Sequence, residues 1–202
     1  MAPENKLYLA SSNAGKLQEF LAIASGARAG FSLGLLPGFA ALPPFSEDAP
    51  TFAENAAGKA LHASAVTEET VCADDSGLVV RALDGDPGVR SARYAGPNAT
   101  GGDNIAKLLH ALTGKCQSER GAYFVCALAV ARRGRVLAVV TNRADGQILE
   151  SPRGSGGFGY DPVFYFPALG KTFAELSGEE KNLHSHRGKA FRRLSEVLPG
   201  ML

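Results

Sequence analysis

Two adjacent acids interrupt a stretch of sequence that otherwise favours a buried strand. Residues 71–80 read VCADDSGLVV, so Asp74 and Asp75 follow apolar residues and precede Ser76 and a second apolar run. Neighbouring like charges repel, and a carboxylate beside apolar chain costs free energy unless a partner compensates it. With Glu47 of a second acidic loop, these acids are suited to bind Mg²⁺ that keeps water and phosphate oxygens as its other ligands. The alternative, in which Asp74 and Asp75 only cap turns, stays open from these residues alone.

A phosphate site is predicted at SSNAGK, residues 11–16, where a strand is expected to give way to a helix. The N–H groups and the positive dipole end of such a helix suit a phosphate, and Lys16 adds a cation. The stretch is not a P-loop, because that motif needs Gly at position 10 and Ser or Thr at 17, where the chain has Ala10 and Leu17. A plain Ser/Asn cap with a solvated lysine is the other interpretation.

A glycine-rich loop, GSGGFG at residues 154–159, formally matches a dinucleotide-binding motif. That motif must open a helix, whereas this one runs into Tyr160, Asp161 and a proline, so a Rossmann site is not expected. The glycines instead allow the backbone to approach a ligand and to present Phe158 and Tyr160 for stacking on a planar base. Alternatively, both rings belong to the core.

Basic residues crowd the run KNLHSHRGK, residues 181–189, at the expected start of a helix. Cations there oppose the helix dipole, and such local conflict is typical of functional sites. Zinc is disfavoured, because no third ligand cluster with zinc spacing accompanies the two histidines. Asn55 and Lys59 are spaced i, i+4 on another predicted helix, so Lys59 can oppose the acids if that face meets them.

The elements that must position these motifs follow from hydrophobic periodicity and from turn and cap residues. Thr51–Glu54 and Ser177–Glu180 both have the form of a capping box that opens a helix. Strands and helices alternate early in the chain and a hairpin lies in the middle, which predicts an α/β fold with a mixed twisted sheet flanked by helices. No repeat or linker divides the chain, so one domain over residues 1–202 is expected. The predicted strands are Lys6–Ala10, Leu33–Leu36, Val71–Ala73, Leu78–Leu83, Ala122–Ala131 and Arg135–Thr141, and the predicted helices are Ala14–Ala24, Thr51–Val66, Asp103–Leu112 and His186–Leu198.

The composition excludes several classes of protein. The 202 residues carry a formal net charge of +1, which argues against a nucleic-acid-binding surface or a membrane-seeking patch. The N-terminus lacks the pattern of a signal peptide, and no apolar run is long enough to cross a bilayer, so a cytoplasmic protein is expected. The three cysteines have no metal-binding spacing, and Cys72 and Cys126 are expected to be buried free thiols.

Taken together, these motifs resemble the inosine triphosphate pyrophosphatase family, the HAM1/RdgB-like purine nucleoside triphosphatases. The resemblance covers nearly the whole chain in order, through SSNAGK, TFAENAAGKA, ADDSGLVV, GFGYDPVF and KTFAELSGEEKNLHSHRGKA. It implies one ITPase-like (Maf/HAM1-type) domain with two lobes around a deep cleft, and a homodimer. It also implies Mg²⁺-dependent hydrolysis of ITP, dITP and XTP at the α–β phosphoanhydride bond, giving the monophosphate and pyrophosphate.

The resemblance also assigns roles to individual residues. Glu47 and Asp75 match the metal-associated acids, and Asp75 matches the proton acceptor, with Asp74, Asn55 and Lys59 as possible supports. The EDAP sequence after Ser46 departs from the family's usual Glu-Thr-Gly, which weakens the match at Glu47. The positions matching substrate contacts are Ser11, Ser12, Asn13, Ala14, Gly15, Lys16, Ser76, Phe158, Gly159, Tyr160, Asp161, Lys181, His186 and Arg187.

Base selection follows from hydrogen-bond chemistry. Hypoxanthine and xanthine present a 6-oxo acceptor and adenine a 6-amino donor, so donors such as Arg187 and backbone N–H groups would favour the former. Two alternatives remain: a Maf-like pyrophosphatase with another base preference, against which the basic SHRG run argues, and a non-catalytic nucleotide sensor, against which the acids argue. A Nudix hydrolase is disfavoured, because its signature helix is absent from the sequence.

Overall fold

The computed structural model describes residues 6–26 and 30–200. Its seven strands form one sheet in the order β2-β1-β3-β4-β5-β6-β7. The strands are β1 (Lys6–Leu9), β2 (Ser32–Leu35), β3 (Thr70–Val80), β4 (Gly121–Arg132), β5 (Arg135–Ile148), β6 (Phe164–Phe166) and β7 (Lys171–Thr172). The helices are α1 (Ala14–Gly26), α2 (Phe52–Ser64), α3 (Gly101–Ala111), α4 (Gly178–His184) and α5 (His186–Val197).

The sheet is mixed, as predicted. Strand β1 pairs in parallel with β2 and with β3, whereas β6 pairs antiparallel with both β5 and β7. Parallel neighbours place their carboxyl ends at one edge of a sheet, which is where ligands bind in open α/β folds. The segments that follow β1 and the acids near the middle of β3 therefore come together at this edge, since Leu9 is level with Cys72.

The chain divides into two compact units, and the first comprises Met1–Asp75, Cys126–Asn142 and His186–Leu202. Its part of β3 is buried on both faces. On one face Cys72 and Leu128 pack in a cluster with Phe20 of α1 and Phe191 of α5. A second cluster contains the small residues of α2, together with neighbouring strand residues: Ala56, Ala60, Ala63, Val71, Ala73, Ala127 and Ala129. Successive residues of β3 thus alternate between the α1/α5 cluster and the α2 cluster.

The second unit comprises Ser76–Val125 and Arg143–Ser185. Its core is rich in aromatic rings, and Phe164 lies 4.6 Å from Phe124 and 4.8 Å from Phe173 between ring centroids. The buried guanidinium of Arg120 donates hydrogen bonds to the carbonyl oxygens of Ile148, Leu112 and Leu149 at 2.8–2.9 Å. The expectation of one domain over residues 1–202 stays a prediction.

The main error of the sequence analysis concerns the acids. Instead of two strands around an acidic turn, β3 runs without interruption through Asp74, Asp75 and Ser76 and ends at Val80, with a 3-10 turn at Arg81–Leu83. A second correction concerns the basic run, which spans two helices. Lys181 and His184 lie in the last turn of α4, where cations are favourable, and only the residues from His186 onward begin α5.

Several local predictions are confirmed. Thr51 is the N-cap of α2, and its hydroxyl accepts a hydrogen bond from the Glu54 N–H. Ser177 and Glu180 form a complete capping box at α4. The three cysteines are free thiols, with Cys72 and Cys126 buried. Across residues 6–26 and 30–200, none of the helices combines the length and the apolar character that crossing a membrane requires.

Candidate active site

The two adjacent acids are separated by the pleat of β3. Because neighbouring side chains of a strand point to opposite faces, Asp74 shares the face of Cys72, and Asp75 shares the face of Ala73. Asp74 accordingly contacts Lys16 of α1, and Asp75 contacts Asn55 of α2. Each carboxylate therefore has its own partners, which explains how two like charges are accommodated side by side in a buried strand.

Asp74 is a permanently ionised, buried carboxylate. Its side chain is 1% exposed, and its Oδ2 lies 2.8 Å from the ammonium of Lys16. Burial alone would raise the pKa of Asp74, but the charges of Lys16, Lys59 and Arg187 outweigh burial and lower that pKa to about 2. Asp74 thus pairs directly with Lys16 and lies in the field of two further cations, and its supporting role stays a prediction.

Asp75 has the opposite electrostatic character. Burial is the main cause that raises its pKa to about 6, and the negative charge of Glu47 adds to the rise, while Lys59, Lys16 and a hydrogen bond from Asn55 oppose it. The Asn55 Nδ2 lies 3.1 Å from Asp75 Oδ2. A carboxylate whose pKa lies near 6 can both accept a proton and release it close to neutral pH, which is what a general base requires.

Lys59, which the sequence placed on the same helix face as Asn55, lies close to the acids. Its Nζ lies 2.7 Å from Glu47 Oε1, and the side chain is only 15% exposed. Burial would lower the pKa of Lys59, but the nearby carboxylates of Asp74, Glu47 and Asp75 together raise it. The lysine is therefore charged, and the interpretation of it as a solvated surface residue is wrong.

The N-terminus of α1 lies next to these acids. Asn13 caps the helix, because its Oδ1 accepts a hydrogen bond from the Lys16 N–H at 3.0 Å, and the Ser11 Oγ accepts one from the Asn13 N–H at 3.3 Å. Ser12 and Ala14 are exposed. The Ser/Asn cap of the alternative interpretation is therefore present. The solvated lysine of that interpretation is not, since Lys16 pairs with Asp74.

Residues at the start of α5 complete the charged cluster of the first unit. His186 and Arg187 are both buried, and the Nη1 of Arg187 lies 2.8 Å from Glu19 Oε2. The sequence analysis missed Glu19. A signal was available, because Glu19 follows Lys16 by three residues on α1 and so shares its side of the helix.

In the second unit, the loop before β6 is organised by Asp161. The buried Oδ2 of Asp161 accepts hydrogen bonds from the Phe158 N–H at 2.7 Å and from Lys181 Nζ at 2.6 Å. Lys181 Nζ also lies 5.1 Å from the centroid of the Phe158 ring. Gly157, which the sequence analysis did not single out, is required here, because a Cβ at its position would overlap the Asp161 carboxylate.

The two aromatic residues of this loop have different surroundings. Phe158 is half-buried, whereas Tyr160 is 4% exposed and its hydroxyl donates a hydrogen bond to the Ser91 carbonyl oxygen at 2.9 Å. The prediction that Tyr160 offers its ring to a base is therefore wrong, because its side chain belongs to the core. Gly159 is exposed with φ of 61°, and Ser76 is half-buried on β3. The assignment of all these residues to substrate contacts stays a prediction.

The first unit thus combines three cations with a carboxylate whose pKa lies near neutrality. Lys16, Lys59 and Arg187 can bind a polyanion such as a phosphate chain, and Asp75 can accept a proton from water. Within the described residues, no group of three or more His, Cys, Asp or Glu side chains is arranged to hold a metal ion by itself. The arrangement is chemically suited to hydrolysis of a phosphoanhydride.

Comparison with known proteins agrees with this geometry. A model of the Ham1 family matches residues 7–197. A dITP/XTP pyrophosphatase of Geobacillus kaustophilus is 53% identical over 191 residues, covering 95% of this chain and 93% of that protein. Another, from Gloeobacter violaceus, is 52% identical over 190 residues, covering 93% and 91%. The solved structure of a HAM1 protein from Coxiella burnetii superposes with a TM-score of 0.84 at 40% identity, covering 96% of this chain and 98% of that one.

Proposed function

The chain belongs to the Ham1 family, and from that premise we propose that it hydrolyses the non-canonical purine nucleoside triphosphates dITP, XTP and ITP. The products are the nucleoside monophosphate and pyrophosphate, so the enzyme is a nucleoside-triphosphate pyrophosphatase. One observation carries the proposal. Asp75, with a pKa raised to about 6, lies in the electrostatic field of two half-buried lysines, Lys59 and Lys16, beside the N-terminus of α1.

The cations and the helix N-terminus account for binding of the triphosphate. Lys16 and Lys59 are held by Asp74 and Glu47, so their ammonium groups are oriented before substrate arrives. Preorganised cations stabilise charge that develops in a transition state without reorganising during the reaction. The backbone N–H groups at the start of α1 supply further donors to phosphate oxygens.

Asp75 and Glu47 fit a magnesium ion. Mg²⁺ binds through one or two carboxylates and otherwise keeps waters and phosphate oxygens, so two acids are enough. Glu47 contributes to raising the pKa of Asp75, which means that the two carboxylates lie close enough to repel each other. A divalent cation relieves that repulsion. When bound, Mg²⁺ would offset negative charge on the phosphate oxygens and on the leaving pyrophosphate.

The hydrolytic step needs one proton acceptor and one leaving group. Water adds to the α-phosphorus, and the bond from that phosphorus to the bridging oxygen of the β-phosphate breaks. The electron pair leaves with pyrophosphate, and the proton of the water passes to the carboxylate of Asp75. Lys16 and Lys59 stabilise the charge that accumulates on the phosphate oxygens.

Selection of the base is proposed to depend on donors. Lys181, oriented by Asp161, is an ammonium and can donate hydrogen bonds but cannot accept them. Together with backbone N–H groups of the loop, it would satisfy a 6-oxo purine and leave the 6-amino group of adenine facing donors. Unpaired buried polar groups of this kind can discriminate by about 10⁴-fold. The half-buried Phe158 ring supplies a face for stacking.

The remaining features of the proposal rest on the family resemblance. We propose that the enzyme is a homodimer, that it acts on free nucleotides without binding nucleic acid or membrane, and that it works in the cytoplasm. A formal net charge of +1 is consistent with the absence of a nucleic-acid-binding surface. Sedimentation of the purified chain would test the dimer.

The decisive experiment is product analysis with dITP, XTP, ITP, GTP and ATP in the presence of Mg²⁺. Formation of pyrophosphate and the monophosphate from the first three, with ATP slower by orders of magnitude, is the expected result. GTP shares the 6-oxo group, so its rate tests whether a separate element excludes the 2-amino group. Release of inorganic phosphate, or equal rates with ATP, would refute the proposal. Repetition with Mg²⁺ replaced by a chelator should abolish the activity.

A further inference from the structure

Residues 43–49, the segment that carries Glu47, lie along one face of helix α2. The segment and the helix run in opposite directions, so that the start of the segment contacts the C-terminal part of α2 and the end of the segment contacts the N-terminal part. At one end, His62 Nε2 donates a hydrogen bond to the Pro43 carbonyl oxygen at 2.9 Å, and the His62 ring lies 5.9 Å from the Phe45 ring. In the middle, Lys59 and Glu47 form an ion pair at 2.7 Å. At the other end, the Asn55 carboxamide forms two hydrogen bonds with the Ala49 backbone at 3.0 and 3.3 Å.

The contact positions of α2 follow the period of a helix, and those of the 43–49 segment follow the period of an extended chain. The four helix positions, 55, 58, 59 and 62, have the i, i+3, i+4, i+7 spacing of a single helix face. The segment alternates: Phe45, Glu47 and Ala49 are half-buried, whereas the residues between them are exposed. Alternation of this kind is what an extended chain shows when one side lies on a surface. The helix face is therefore complementary to this segment along its length.

Gly58 supports the same conclusion. Glycine is among the least favourable residues for a helix interior, yet it occupies the middle of α2. A Cβ added at Gly58 would overlap the ring of Phe45, whose Cζ, Cε2 and Cε1 atoms are the nearest neighbours. The glycine thus leaves room for the Phe45 ring, which would otherwise be pushed away from the helix.

The same face of α2 also contacts Asp75, the proposed proton acceptor. Asn55 Nδ2 donates to Asp75 Oδ2 at 3.1 Å as well as to the Ala49 carbonyl oxygen. One side chain therefore fixes both the end of the segment and Asp75. We propose that the α2 face formed by Asn55, Gly58, Lys59 and His62 holds Glu47 in place for Mg²⁺, and that His62 and Gly58 are positioning residues for metal binding.

This inference rests on the proposed role of Glu47 as a ligand of Mg²⁺. Two features distinguish positioning of Glu47 by His62 and Gly58 from a merely structural role of these two residues. His62 lies seven residues from Asn55 along α2 and touches the far end of the segment, at Pro43. Its loss should therefore affect Glu47 through the segment. Replacing Gly58 by alanine should favour the helix itself, because alanine has the higher helix propensity, while it displaces Phe45.

The test compares the variants H62A, H62Q and G58A with two matched controls, H110A and G102A. His110 is an exposed histidine in the last turn of α3, and a Cβ at Gly102 would meet only the Thr100 hydroxyl at 3.6 Å. The first measurement is the affinity of the nucleotide-free full chain for Mn²⁺, which replaces Mg²⁺ and can be followed by electron paramagnetic resonance. The second is hydrogen exchange of the amides of residues 45–49.

We expect H62A and G58A to bind Mn²⁺ about fivefold or more weakly, the effect of losing one hydrogen bond or contact of about 1 kcal/mol. Their 45–49 amides should exchange faster. H62Q, which keeps a donor, and both controls should resemble the parent. Parent-like Mn²⁺ affinity in H62A and G58A would overturn the inference, whether or not exchange changes. If the parent releases no pyrophosphate from dITP, the proposed function fails, and the Mn²⁺ titrations decide the inference independently.

Discussion

The ammonium of Lys16 lies 2.8 Å from the carboxylate of Asp74, and this ion pair links the first turn of α1 to the middle of β3. The aspartate is almost fully buried, and the lysine is 14% exposed. Lys16 is thus oriented by a buried partner. The same lysine that would hold a phosphate chain is needed to neutralise a buried charge, so binding and stability are coupled at this residue.

Replacing Lys16 by methionine should destabilise the nucleotide-free protein by about 3 kcal/mol, because it leaves a buried carboxylate without its nearest cation. Chemical denaturation measures the change. The double variant K16M/D74N should be more stable than K16M, since it removes the uncompensated charge. Lys115→Met is the control, because the Lys115–Glu119 pair is exposed and should contribute little to stability. Equal stability of K16M and the parent would contradict the importance of this pair.

Replacing Asp75 by asparagine should reduce the rate of pyrophosphate release from dITP by at least about 10³-fold, since it removes the proton acceptor and a metal ligand together. The side chain keeps its size, so the fold should persist, as circular dichroism would show. Asp145→Asn, at an exposed position, should leave the rate unchanged. Turnover of D75N close to that of the parent would refute the role assigned to Asp75.

In the metal-free protein, Asp75 should titrate near pH 6 rather than near its ordinary value of 3.8. Because burial raises the pKa in the folded state, the folded protein binds this proton more tightly than the unfolded chain does. The contribution of Asp75 to the free energy of unfolding therefore falls as pH rises from about 4 to about 6. Carboxylate carbon NMR would follow the titration, and saturating Mg²⁺ should lower the midpoint. A midpoint near 4 without Mg²⁺ would show that the raised pKa is wrong.

Replacing Arg120 by methionine should destabilise the protein by about 3 kcal/mol or more, because three carbonyl oxygens lose a donor inside the core of the second unit. Arg120→Lys should be destabilised as well, since one ammonium cannot reproduce the geometry of three guanidinium bonds. Thermal and chemical unfolding measure both. Arg193→Met, at a side chain 57% exposed, serves as the control and should change stability little. A similar loss in R120M and R193M would contradict the structural role of Arg120.

Replacing Asp161 by asparagine should weaken both hydrogen bonds that hold the Phe158 loop, since the carboxylate accepts from Phe158 N–H and from Lys181. We expect kcat/KM for dITP to fall at least tenfold, and the ratio of the dITP and dATP values to fall with it, because Lys181 loses its orientation. Steady-state kinetics with both nucleotides measure this. An unchanged ratio, with kcat/KM falling equally for both nucleotides, would refute base selection through Lys181, provided that circular dichroism shows D161N to be folded.

Much of the fold could be predicted because local signals and tertiary structure agree. The N-cap of α2 at Thr51 and the capping box at Ser177 were visible in the sequence, and the helices of the first unit show apolar faces of the right period. The acidic turn was mispredicted because here the local signal and the tertiary structure disagree. Asp-Asp-Ser-Gly is typical of turns, but Lys16 and Asn55, which are distant in sequence, compensate both charges and allow the strand to continue.

The candidate site was only partly predictable, because a motif gives residue types but not their partners. Lys59 could be placed on a helix face, but whether that face met the acids depended on tertiary packing. Tyr160 and Phe158 were equivalent in the sequence, and only the hydrogen bond of Tyr160 to the Ser91 carbonyl oxygen distinguishes a core ring from an accessible one. Glu19 carries no motif, and its pairing with Arg187 joins residues 168 positions apart.

The alternation of Asp74 and Asp75 across the two faces of β3 constrains how this gene can vary. Substitution among small apolar residues earlier in the strand preserves which acid faces α1 and which faces α2. Insertion or deletion of a single codon between Thr70 and Asp74 exchanges the two surroundings at once, since a one-residue shift moves every side chain to the opposite face. Point mutation is therefore tolerable here where a change of length is not, and alignments of relatives should show no gaps across this strand.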